Sequence, residues 1–327
     1  MKMKYILPTL GVAILILWVI FKPNQTNNRY SISIGYQEIS LYRHIFVAQE
    51  KGFFEKEGLE VELKPIASAN RMMEALIAGQ LDVLGLTNLQ VALTIEGKDP
   101  GKFKLANMLI WQEKSFPDYL LVRKDVKVKS VKELEGRTIG LHPGSAVKAF
   151  ASEVLTQNNV DLNKTTFIEL EPSIMQSAVV SKRVDALYCM DPVAASLLSS
   201  NQVYSLIKNP MKYIFPPPVP ISGMALSSTF INEHPEEAKK VVIAIENAIT
   251  YMRETGHEEE IAAIIEKYTP IKKSAALKMN ISEYWLFNET DRNRIQLLSD
   301  KFFELKIAKD SIDINKIMLP KNFMTMN

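Results

Sequence analysis

The chain has 327 residues, of which 47% are hydrophobic, 23% charged and 9% aromatic. This excludes a largely disordered, collagen-like or coiled-coil protein and leaves room for about two domains, each with its own core. The net charge is +2, but Lys2, Lys4 and Lys22 precede Arg29 and no acidic residue does; the remainder carries 36 basic against 37 acidic residues and lacks the electrostatic footprint of a nucleic-acid binder. The single cysteine, Cys189, excludes an intramolecular disulfide and a four-cysteine zinc site.

Residues 5–21 are uncharged and almost wholly apolar. A secretory apolar core spans about 7–15 residues and a membrane helix about 17–25, so the segment sits at the border. No small-x-small cleavage site and no cysteine for lipid attachment follows it. The expectation is an uncleaved signal anchor with a polar linker over residues 1–28, Lys2 and Lys4 cytoplasmic and the body outside; a cleaved signal peptide is the alternative.

The body alternates strand and helix. Residues 31–36 alternate apolar and polar like a strand, and 42–50 show helical spacing closed by Gly52. Residues 59–63 alternate again, 70–78 predict a helix capped by Asn70 and ended by Gly79, 81–86 a buried strand and 88–95 a short helix. That order implies a parallel, doubly wound sheet. It then repeats: a capping box at Ser130 and Glu133, a strand at 138–141, a helix at 145–158, a strand at 166–170, a helix at 174–181 and a strand at 186–189. The third strands read alike, AGQLDVLGL at 78–86 and SKRVDALYC at 181–189, which makes Asp82 and Asp185 counterparts in a weak internal repeat. Extended segments at 115–123 and 215–226 flank the second unit, and four helices follow, at 235–255, 258–267, 274–279 and 291–305. A helical tail without its own sheet needs the first unit to pack on. The expected organisation is lobe I over residues 29–122 and 221–327, and lobe II over 123–220.

Enzymatic motifs are not found. His44, His142, His234 and His257 form no HExxH, and no GxSxG or GxGxxG occurs. The glycine-containing turn 140–145 lacks the lysine of a phosphate-binding loop, and His142 lies too close in sequence to Ser145 for a base and nucleophile. Cys189, in an apolar strand, reads as a core residue. No cofactor and no metal is expected.

Polar residues gather instead where strands lead into helices, the edge at which doubly wound sheets bind ligands. The first lobe offers Tyr36, Gln37 and Ser40, then Ser68 and Asn70, then Thr87 and Asn88. The second offers His142, Gly144 and Ser145, then Glu171 and Ser173, then Met190 and Asp191. Each of Ser68, Asn70, Asn88, Ser173 and Asp191 reads equally as a helix cap. Arg43 could meet an anion or form a solvated face, and Trp111, Phe116 and Tyr119 could stack on a flat ligand or belong to the core. The first N–H groups of the helix at Ser145 lack internal partners, so an acceptor oxygen of the ligand is expected there, with Gly144 allowing close approach and Gln37, Ser68 and Asn88 completing the contacts.

The stretch EKGFFEKEGLEVEL at 50–63 resembles a signature of the bacterial solute-binding proteins of nitrate, sulfonate, taurine and bicarbonate transport, a family that also includes binders of thiamine-pyrimidine precursors. AGQLDV at 78–83, SVKELEGRTIG at 130–140, Pro143-Gly144-Ser145, Val184-Asp185-Ala186, Asp191-Pro192, HPEE at 234–237, IIEKY at 264–268 and IDINK at 312–316 agree with it in order and spacing. The resemblance implies a periplasmic-binding-protein type II fold: two α/β lobes, each a doubly wound, mostly parallel sheet, two crossing strands and a helical C-terminal tail. It implies a monomeric extracytoplasmic receptor that takes a small polar or anionic solute in the cleft and delivers it to an ABC permease. The alternatives are an enzyme on the same fold, such as a pyrimidine-precursor synthase, though the single cysteine is unlike those enzymes, or a ligand-sensing module without transport.

Overall fold

The computed structural model describes residues 30–279 and 282–326; the expected signal anchor therefore lies outside the described residues. No helix among the described residues is long and apolar enough to cross a membrane.

The first unit is built from β1 (Ser31–Tyr36), α1 (Arg43–Glu50), α2 (Phe53–Lys56), β2 (Glu60–Pro65), α3 (Ala69–Ile77), β3 (Val83–Asn88) and α4 (Leu89–Lys98), in the expected order. The α3 helix starts one residue earlier than expected: Ser68 holds the N-cap position, and Asn70 is already inside the helix. A nine-residue buried strand, β4 (Phe103–Trp111), follows and was not anticipated. The second unit comprises β5 (Asp118–Arg123), β6 (Thr138–Leu141), α5 (Ser145–Gln157), β7 (Thr166–Glu169), α6 (Pro172–Val180), β8 (Ala186–Met190), α7 (Val193–Ser199) and β9 (Val203–Lys208). The chain returns through β10 (Val219–Ser227) to α8 (Ser228–Glu233), α9 (Pro235–Arg253), α10 (Glu258–Tyr268), α11 (Lys273–Ala276), β11 (Glu283–Trp285) and α12 (Arg292–Glu304). The capping box at Ser130 opens only a 3-10 turn, Val131–Leu134, and the Ser130 hydroxyl donates to Glu133 Oε1 at 3.0 Å instead of capping the backbone.

Two sheets result, ordered β11-β4-β10-β3-β1-β2 and β7-β6-β8-β5-β9. They are mixed rather than mostly parallel. β1 pairs in parallel with β2 and β3, and β6 with β7 and β8, but β10 enters the first sheet and β5 the second antiparallel to their neighbours. The cause is the chain path: a strand arriving directly from the other lobe has no crossover helix to reverse it. The change of sheet also falls earlier than the sequence suggests. Asp118–Val122 pair with β8 in the second sheet, so residues 112–117 and 209–218 are the crossing segments.

The internal repeat has a physical meaning. In the first sheet the Asp82 carboxylate accepts hydrogen bonds from the Ser33 N–H and Oγ, both at 2.8 Å, and from the Tyr30 hydroxyl at 2.8 Å. In the second, Asp185 accepts from the Thr138 N–H at 3.0 Å and pairs with Arg123 at 3.5 Å. Each aspartate pins the start of its third strand to the first. Each first strand also carries a glycine that its core requires: a Cβ on Gly35 would lie 2.7 Å from Leu81 Cδ1, and one on Gly140 would lie 2.6 Å from Leu187 Cδ2.

The tail packs on the first lobe as expected, with α9 laid against α1, yet its last helix reaches the second lobe. Phe302 of α12, Phe215 of the second crossing and Phe150 of α5 form a ring cluster with centroids 5.6–6.2 Å apart. Lys301 pairs with Glu153 at 3.4 Å, and Arg294 donates to the Pro216 and Pro218 carbonyls at 3.0 and 3.2 Å.

Candidate functional site

Strand polarity places the cleft. Trp111, ending β4, pairs with Val219, starting β10; Ser222 pairs with Asn88, ending β3; and Asp118, starting β5, pairs with Met190, ending β8. Both crossing segments thus leave each sheet at the edge where its parallel strands end, the edge that carries the loops following those strands.

The second-lobe rim centres on the N-terminus of α5, a 13-residue helix. Gly144 precedes it with φ +137°, a conformation that side chains rarely adopt. Gly144 is exposed, and a Cβ there would meet only Val147, at 3.9 Å, so the approach to the helix's unpaired N–H groups is open. Ser145 is the first residue of α5; its side chain lies outside the described residues. His142 is half-buried. Burial pulls its pKa below the ordinary value, opposed by the nearby Glu171 carboxylate, so the ring is neutral at pH 7. Asp191 is exposed and works as a cap, its Oδ1 accepting the Ala195 N–H at 3.1 Å.

The first-lobe rim is more selective than the sequence suggests. Ser68 is half-buried and Asn70 exposed, and the Ser68 hydroxyl makes no capping bond although its backbone holds the cap position. Asn88 is exposed and does cap, its Oδ1 accepting the Gln90 N–H at 2.8 Å. Five expected residues are engaged within the first lobe itself, four of them buried. The pleat turns Tyr36 to the same side as Ile32 and Ile34, where it meets the edge of Phe46 at 5.1 Å. Gln37 braces two rim loops, donating from Nε2 to the Ala67 carbonyl at 2.7 Å. Ser40 is buried at the turn before α1. Thr87 is buried on the side of Gly85, facing α1, and its hydroxyl has no partner among the described residues. Arg43 departs furthest: its guanidinium is buried over the Tyr284 ring at 4.8 Å and donates to the Ser40 and Ser282 carbonyls, in a cavity whose lining residues all belong to the first lobe.

Sequence reading missed the residue that ties the crossing segments together. Asp118, buried at the end of the first crossing, accepts the Met211 N–H at 2.8 Å and the Tyr188 hydroxyl at 3.1 Å, while its carbonyl accepts the Asn209 N–H at 2.8 Å. Its second carboxylate oxygen is buried without a partner, and burial raises its pKa to about 6. Asn209 Nδ2 and Lys212 Nζ add bonds to Glu113, at 3.0 and 3.1 Å, on the opposite crossing. A charged residue opening the apolar run DYLLVR was the available signal. The aromatic residues expected near the crossing divide: Phe116 is buried, and Trp111 packs against it at 5.5 Å.

The chain shares this architecture with known binding proteins. It is 24% identical, over 229 residues, to a Brucella abortus protein, BAB2_1146, whose name marks it as a proposed binding protein; the match spans 70% of this chain and 68% of that one. The periplasmic aliphatic sulphonate-binding protein SsuA of Escherichia coli superposes with a TM-score of 0.69 at 17% identity, over 89% of this chain and 92% of its own. The nitrate-binding protein NrtA of Synechocystis PCC 6803 gives 0.64 at 13%, over 90% and 87%. The desulfurization enzyme DSZB gives 0.63 at 12%, over 90% and 98%. At these identities the structural likeness concerns the fold, which is the two-lobed periplasmic-binding-protein type II architecture. Residues 42–259 match the sequence model of the family described as NMT1/THI5 like, and the chain belongs to that family.

Proposed function

We propose that the protein is an extracytoplasmic receptor that takes a small polar or anionic solute between its two lobes and delivers it to an ABC permease, tethered by the apolar segment at residues 5–21. The observation that carries the reading is the open N-terminus of α5 behind Gly144, at the strand ends of the second lobe; Ser68, Asn70 and Asn88 hold the corresponding strand ends of the first lobe. Unpaired helix N–H groups favour an acceptor oxygen, and neutral hydroxyls, amides and His142 bind it without a fixed counter-charge. The names of SsuA and NrtA, with the same fold, support a sulfonate- or nitrate-like class. Closure about residues 112–117 and 209–218 would bring the rims together.

The DSZB fold supports a second reading, an enzyme. Against a thiolate nucleophile, Cys189 is buried in β8 and burial pushes its thiol up to about 12. A thermal-shift screen of the full-length protein against nitrate, bicarbonate, alkanesulfonates, taurine and pyrimidines separates the readings. A solute at 100 times its dissociation constant adds about 2.7 kcal/mol of stability and is recovered unchanged. Conversion of a bound solute to product overturns the receptor reading.

A further inference from the structure

A cavity of about 520 Å³ lies within the first lobe, among α1, α9, α10, α11 and β11. Its size falls within the usual range of small-molecule sites, about 300–1,000 Å³. Its walls are mostly apolar, with Ile249, Ile261, Ile265 and Leu277 around the Tyr284 ring, and no second-lobe residue lines it. At its inner wall sits Arg43, only 4% exposed. Among the described residues this guanidinium donates to the neutral carbonyls of Ser40 and Ser282, and no carboxylate lies within ion-pairing distance. The other charged groups of the cavity are accounted for. Arg253 is held by both oxygens of Glu289 at 2.8 and 2.6 Å. Glu258 and Glu283 are exposed to water, the first accepting the Gly256 N–H and the second the Gln112 amide. His44, beside Arg43, is driven neutral by burial, its pKa falling to about 3. Arg43 is therefore a buried cation that faces an apolar chamber with two carbonyls and the Tyr284 ring as partners but no anion among the described residues, a position where an entering anion would be well received.

We propose that this cavity is a second binding site, independent of the interlobe cleft, for an organic monoanion with an aliphatic or aromatic body, its carboxylate or sulfonate on Arg43 and its body among the isoleucines. Burial disfavours the guanidinium's charge, and an entering anion would stabilise it. Leu277, 43% exposed, stands at the mouth.

Octanesulfonate, octanoate and the uncharged octanol serve as probes in calorimetric titrations of the full-length protein. Both anions should bind at the cavity at least about tenfold more tightly than octanol, and Arg43→Met should remove that advantage. Leu277→Trp, which closes the mouth without touching Arg43, should weaken all three probes and keeps the test valid should Arg43→Met fail to fold. In Gly144→Val, which alters the cleft, the anions should still bind at the Arg43 cavity with their advantage over octanol intact, whatever happens to a sulfonate held in the cleft, so failure of this site and failure of the cleft reading are distinguishable. Binding lost in Gly144→Val but intact in Leu277→Trp would place the anion in the cleft and overturn the proposal, as would equal affinity for octanol and octanesulfonate or no binding by any probe.

Discussion

Asp118 joins both crossing segments and makes the stability of the protein depend on pH in a calculable way. The carboxyl is buried, and its pKa stands at about 6 against an ordinary 3.8. A raised folded-state value means that the folded protein holds this proton more tightly than the unfolded chain. Stability is therefore highest below the unfolded value and is lost as pH rises through the folded one. About two pKa units, at 1.36 kcal/mol each, set the loss at about 3 kcal/mol between pH 4 and pH 7. Asp118→Asn keeps the shape and an oxygen able to accept from Met211 and Tyr188, but cannot ionise. Urea unfolding of both proteins, followed by fluorescence from pH 4 to 7.5, isolates this group, because every other titration is common to the pair. The variant should gain on the wild type by up to about 3 kcal/mol as pH rises, with the change centred between pH 4 and 6. A stability difference independent of pH would refute the reasoning, and a variant that loses ground with rising pH would show that the ionised carboxylate is stabilised where it lies.

The paired aspartates are unequal in their bonds: Asp82→Ala, which loses three acceptor contacts, should cost about 2–4 kcal/mol in urea unfolding, and Asp185→Ala about 1–2 kcal/mol. Gly140→Ala should destabilise by about 1–3 kcal/mol, since its methyl would overlap Leu187 and Leu170, which are fully buried. Because burial lowers the pKa of His142, any inflection in affinity for the cleft solute due to this ring should fall on the acid side of the ordinary imidazole value; a calorimetric series with its inflection at or above pH 7 would show that burial does not depress the ring's titration.

Two strands were legible to the residue: 31–36 and 138–141 coincide with β1 and β6, short runs of apolar and small residues bounded by polar and turn residues, although both are buried on both faces. The nine residues of β4 escaped notice because eight of them are buried or apolar on both faces, which leaves no alternation to read. The antiparallel entry of β5 and β10 was equally hidden, since strand direction follows from the path between lobes rather than from local pattern. At the rims, the strand-to-helix positions were readable, but the pointing of side chains was not. The pleat sends Tyr36 inward, and an approaching carbonyl from Ser282, 239 residues away, draws Arg43 into the lobe. Asp82 and Asp185 were visible as a repeat, and only the neighbouring strands reveal them as matched pins.

The most direct test of the central claim is an amide-resolved magnetic-resonance titration of the full-length protein with the solute that stabilises it most. A solute held between the lobes at the start of α5 should shift the amides of Gly144, Ala146 and Val147 together with those of Ser68, Asn70 and Asn88 on the opposite lobe, all with one dissociation constant. Shifts confined to a single lobe, or centred on Arg43 and Tyr284 while the Gly144 turn stays silent, would contradict it.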